Sequence, residues 1–165
     1  MILRVSMMPL TEYLIDQTMV IASFLFNVII LFIFILRAYE RPDQERMLGY
    51  VFSVLFFPFA YVWVANLIGG RDVGRLITGF PVLVFMIYDF WYREVAKAKP
   101  RHHPDHWPLG LYLYLLLYLI GGIMLNGYAF FVSMNYGYLI LVSYYCSLGA
   151  YGFYQYKYDK SRKAS

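Results

Sequence analysis

Residues 13–36 read YLIDQTMVIASFLFNVIILFIFIL, an almost unbroken apolar run near the amino terminus. A bilayer's hydrocarbon core is about 30 Å thick and takes roughly 20 apolar residues in helical form to cross. The run meets that length, so it predicts a membrane-spanning helix. Three more runs follow. LGYVFSVLFFPFAYVWVANLI fills 48–68, and LITGFPVLVFMIYDFWY fills 76–92. The last extends from Leu109 to Tyr156, interrupted only by SMNYG at 133–137. At about 1.5 Å per residue, one helix of that length overshoots a bilayer. Asn135 and Gly137 suit a turn, which divides the run into spans at 109–132 and 138–157. The expected fold class is therefore all-α, a multi-pass integral membrane protein of about five transmembrane helices in a single domain over 1–165.

Composition agrees. Only 15% of the 165 residues are charged and 61% are apolar, against about 25% charged in an ordinary soluble domain. The 18 tyrosines contribute amphipathic rings suited to headgroup depth. The net charge of +4 flanks the apolar runs and forms no separate basic domain, so nucleic acid is not an expected partner. Cys146 is the single cysteine, which excludes an internal disulfide framework and a zinc finger. The first apolar run is too long for a cleavable signal peptide and lacks a small-residue cleavage site, so it reads as a signal anchor.

Loop charge orients the spans. Arg37, Arg41 and Arg46; Arg93, Lys97, Lys99 and Arg101; and Lys157, Lys160, Arg162 and Lys163 fall on one side, whereas only Arg4, Arg71 and Arg75 fall on the other. By the positive-inside rule the amino terminus is expected outside and the carboxyl terminus in the cytoplasm, with the cell membrane as the location.

All three histidines lie in KPRHHPDHWP at 99–108. His102 and His106 have the spacing of two ligands on one helix face, and His103 or Asp105 can complete a metal set. Pro100, Pro104 and Pro108 oppose a continuous helix there. The favoured alternative is a cytoplasmic hinge at the lipid headgroups. No histidine or lysine lies inside a span, which excludes axial haem ligation and a retinal-type Schiff base. HExxH, GxSxG, a P-loop and a CxxC pair are all missing. No catalytic residue, resident cofactor or firm metal site is assigned to the chain.

Ionisable groups within spans are functional suspects. Asp16 and Asp89 are the two here. Asp16, with Glu12, Gln17 and Thr18, reads as the polar start of the first helix, and Asp89 precedes Arg93 by one helical turn, an interfacial pair. A proton relay is the sharper alternative for Asp89. Asn27, Asn66 and Asn126 are expected to hydrogen-bond between helices. Gly121, Gly122, Ser143, Ser147, Gly149 and Gly152 offer slim surfaces for close helix packing, within the chain or against a partner. Pro58 and Pro81 are expected to kink their helices.

The segment NGYAFFVSMNYGYLILVSYYCSLGAYGFYQYKYDK at 126–160 resembles, in its tyrosine- and glycine-rich texture, a small accessory subunit of archaeal ammonia monooxygenase complexes. That resemblance implies a helical satellite of a copper membrane monooxygenase, with copper held by larger partner subunits and no ligand carried by this chain. Size and missing chemistry point the same way, to a non-catalytic subunit of a hetero-oligomeric membrane complex, in contact with lipids and other transmembrane subunits. The alternatives are a small membrane enzyme or transporter using Asp89, Asp16 or the 102–106 loop, and a transient assembly factor.

Overall fold

The computed structural model describes residues 2–95 and 108–164. These residues are helical almost throughout: α1 (Ile2–Ala38), α2 (Pro42–Val54), α3 (Phe56–Ile68), α4 (Val73–Phe90), a π-helical turn (Trp91–Val95), α5 (Pro108–Val132) and α6 (Met134–Ala164). Four stretches are long and apolar enough to cross a membrane: Thr11–Ala38, Pro42–Ile68, Val73–Phe90 and Tyr112–Val132. The 31-residue α6 also has the length to cross, but its eight tyrosines lower its mean hydropathy. The chain is an all-helical polytopic membrane protein.

The second run and the last turn differ most from the sequence expectation. The second run begins at Pro42 and is broken at Leu55 into α2 and α3. Pro58 explains the break. It has no N–H for the Val54 carbonyl, and its ring crowds that turn; the Leu55 N–H bonds to Phe52 O at 3.0 Å in a tightened turn. Pro81, by contrast, is accommodated within a continuous α4. The turn between the last two helices is Ser133 alone, so Asn135 and Gly137 lie inside α6. Packing accounts for the tight junction, because the Phe130 ring lies where a Gly137 Cβ would sit.

The same turn chemistry closes α1 and α3. At the end of α3, Gly70 adopts φ 61°, the Gly70 N–H bonds to Leu67 O at 3.4 Å and the Arg71 N–H to Asn66 O at 3.1 Å. This is the Schellman pattern, in which a left-handed residue turns the chain back onto the last carbonyls. Asp72 then caps α4, accepting from the Gly74 N–H at 3.2 Å. At the end of α1, Glu40 takes the left-handed position with φ 55°, and the Arg41 N–H bonds to Leu36 O at 3.0 Å.

Helix α6 runs parallel to α1. Asn27 meets Ser143, Phe34 meets Tyr151 and Arg37 meets Tyr154, so residue numbers rise together. Helix α5 runs antiparallel to both α4 and α6, and α4–α5 is among the closest pairs: a Cβ on Gly121 would lie 3.5 Å from Val82 Cα. At the centre, the buried Phe26 ring lies 5.2 to 6.4 Å from those of Phe52, Phe59, Phe85 and Tyr118. One side chain of α1 thus gathers α2, α3, α4 and α5 around it.

Candidate functional site

Two polar clusters lie at opposite ends of this aromatic core. The first is built on the Ile68–Asp72 turn. The Schellman geometry directs the Arg71 side chain back along the bundle, where only 7% of it is exposed. Its guanidinium donates to both carboxylate oxygens of Asp16, Nη1 to Oδ1 at 2.9 Å and Nη2 to Oδ2 at 3.2 Å. Nη1 also donates to Asn66 Oδ1 at 3.1 Å. Asn66 Nδ2 donates to the Tyr128 hydroxyl at 3.2 Å, and that hydroxyl donates to Asp16 Oδ1 at 2.9 Å. Arg75 Nη2 stands 3.4 Å from Asp16 Oδ2, and Glu12 3.5 Å from Arg71. Four groups from α1, α3, α5 and the α3–α4 turn therefore close a ring, with two arginines matched by two carboxylates. Buried charge is tolerable when it is paired in this way and its hydrogen-bonding capacity is used.

Asp16 was expected at the polar start of a helix. It lies well inside α1, and its environment is set by Arg71, which on sequence alone counted as a loop charge. Tyr128 was not singled out. An aspartate in an apolar run calls for a cation, but nothing in the sequence says which of fourteen Lys and Arg residues supplies it.

The second cluster lies at the opposite end. Arg37, expected in a loop, is the penultimate residue of α1 and is buried. Its Nε donates to Glu45 Oε1 at 2.9 Å, and its guanidinium carbon sits 5.6 Å from the ring centroids of both Phe34 and Tyr154. A cation between two aromatic faces with a carboxylate beside it is a stable arrangement away from water. Arg37 and Glu45, together with Asp89 and Tyr114, line a small cleft of about 30 Å³ walled by Ile30, Ile33, Phe34, Gly49 and Phe52. Asp89 is 4% exposed and is the penultimate residue of α4, just before the π-helical segment. The Arg93 side chain of the expected pair lies outside the described residues, as do His102, His103, Asp105 and His106. Among the described residues no three His, Cys, Asp or Glu side chains converge on a common point.

Between the clusters, the seam of α1, α5 and α6 holds neutral polar groups. Asn27 Nδ2 donates to Ser143 Oγ at 2.9 Å and to Ile140 O at 3.3 Å. Ser147 Oγ donates to Tyr144 O at 2.7 Å, which leaves it as acceptor for the Tyr118 hydroxyl at 2.5 Å. Asn126 Nδ2 donates to Gly122 O at 2.8 Å within its own helix. The Oδ1 atoms of Asn27 and Asn126 are buried and accept no hydrogen bond.

The six small residues divide by surroundings. Gly121 backs onto Val82, and the space beside Gly122 is filled by the Tyr144 ring. Ser143 and Ser147 bond across helices as described. Gly149 and Gly152 differ: a Cβ on either meets nothing within 4 Å. They lie on the outer face of α6 with Val142, Tyr145, Cys146, Phe153 and Tyr156, all exposed. No protein-family model matches the chain, and no curated protein or solved structure does either.

Proposed function

We propose that the chain is a non-catalytic accessory subunit of a larger complex in the cell membrane, docking to a neighbouring transmembrane helix through the outer face of α6. The observation that carries this is the contrast among its glycines. Those facing inward are filled by Val82, Tyr144 or Phe130, whereas Gly149 and Gly152 leave a shallow strip bordered by large side chains. Helices in lipid associate through such slim surfaces, because close backbone approach supplies the van der Waals contact that apolar burial cannot. The charged groups add support: Asp16, Arg71 and Arg75, and separately Arg37 and Glu45, are satisfied by one another and hold helices together. The texture of 126–160 makes an archaeal copper monooxygenase assembly of the ammonia-oxidising type the first complex to look for, with copper on the partner subunits.

The test is purification in a gentle detergent, with intact-mass measurement of what elutes. The expected result is a fixed-ratio complex, reduced to free chain when Gly149 and Gly152 are both replaced by Leu, with the unfolding midpoint of the free chain unchanged. A monodisperse monomer, or a double variant that still assembles in full, refutes the proposal. Copper measured on the free chain itself would instead favour a metalloenzyme.

A further inference from the structure

The helix break at Leu55 has a consequence on the lipid side of the bundle. Helix α3 packs on both α1 and α4, whereas α2 packs chiefly on α1. Between α2–α3 and α4 lies an open groove of about 300 Å³, lined by Ser53, Phe56, Phe57, Met86, Ile87 and Phe90. Ser53 Oγ donates to Gly49 O of its own helix at 3.1 Å, so the groove presents mainly carbon. Phe57, Ile87 and Phe90 are each at least half exposed, which at this position means exposed to acyl chains.

The open end of the groove is polar. From Phe57 of α3 the stripe passes to Ser53 of α2 and continues to Tyr50 and Arg46. Arg46 Nε donates to the Tyr50 hydroxyl at 3.2 Å and its guanidinium lies over the Tyr50 ring, 5.9 Å from the centroid. On the other wall the stripe of Ile87 and Phe90 continues at helical spacing to Glu94, at the same end of the bundle as Arg46. Ser53 lies seven residues from Arg46, about 10 Å along a helix. The interfacial layer on each side of a bilayer is about 5–8 Å deep. With Arg46 at headgroup depth, the groove therefore begins where the hydrocarbon begins. The exposed Trp91 marks the same level.

We propose that this groove is a binding site for one phospholipid with a zwitterionic, primary-amine headgroup. The acyl chain fills the groove, the phosphate accepts from Arg46 and the Tyr50 hydroxyl, and the ammonium meets Glu94. A purely anionic headgroup is disfavoured, because the carboxylate of Glu94 stands at the same end of the groove.

The experiment uses the full chain, delipidated in mild detergent and offered phosphatidylethanolamine or phosphatidylglycerol at equal concentration, with native mass spectrometry counting retained lipid. One phosphatidylethanolamine per chain is expected, retained in clear excess over phosphatidylglycerol. Arg46→Ala should lower its retention by about fivefold, the scale of one exposed ion pair. Glu94→Gln should abolish the preference between the two lipids, and Ile87→Trp should block both. Both charge variants alter groups outside the core, so they remain informative if the tryptophan variant fails to fold. Equal retention of the two lipids by the parent chain overturns the proposal, as does full retention by Arg46→Ala. A photo-crosslinker at Phe57 that captures protein and no lipid in native membranes overturns it as well.

Discussion

Replacing Arg71 with alanine tests whether the ring around Asp16 holds the bundle together. The substitution removes three hydrogen bonds, two to Asp16 and one to Asn66. It leaves a carboxylate whose side chain is 12% exposed with Arg75 at 3.4 Å and the Tyr128 hydroxyl at 2.9 Å. Breaking a buried ion pair from one side costs about 3–5 kcal/mol when the remaining charge has no other partner. Arg75 and Tyr128 offset part of that, so the expected loss is about 2–4 kcal/mol. At roughly 2–4 °C per kcal/mol for a chain of this length, the unfolding midpoint should fall by about 4–16 °C. Far-UV circular dichroism of the purified protein in mild detergent measures it. Arg71→Lys should recover part of the loss, because an ammonium keeps the charge but not the two-pronged geometry. Combining Asp16→Leu with Arg71→Met should cost less than the sum of the two single changes by about 1–3 kcal/mol. Strict additivity, or an Arg71→Ala midpoint within about 2 °C of the parent, refutes the view that this ring is a structural clamp.

Gly122→Ala should destabilise the chain by about 1–3 kcal/mol, since the new Cβ meets the buried Tyr144 ring, while Gly149→Ala leaves its midpoint unchanged; thermal unfolding of the pair checks this. Gly70→Ala should cost about 1–2 kcal/mol by placing a Cβ in the left-handed conformation, seen in the same melt. Tyr118→Phe should cost about 1 kcal/mol, because Ser147 keeps its bond to Tyr144 O when the ring hydroxyl goes. Cys146, exposed beside Gly149, should react with a membrane-permeant maleimide in the free chain and be protected in the assembled complex. Equal labelling in the two states counts against α6 as the docking face.

Much of the architecture was legible in the chain itself. Apolar runs of bilayer length dictate helices, because a backbone in hydrocarbon has to satisfy its own hydrogen bonds. Gly121 and Gly122 stood out in the sequence as slim positions on one helix. What each polar residue does was not legible. Asp16 and Arg71 are separated by 55 positions and Tyr128 by 112 from Asp16, and local pattern carries no information about pairing at such range. Arg37 and Arg71 look like any loop arginine until the turns around Glu40 and Gly70 fold them inward. The outward face at Gly149 and Gly152 is likewise indistinguishable by sequence from the inward one at Ser143 and Ser147. Periodicity fixes which residues share a side of a helix, but only the packing of neighbouring helices decides which side is covered.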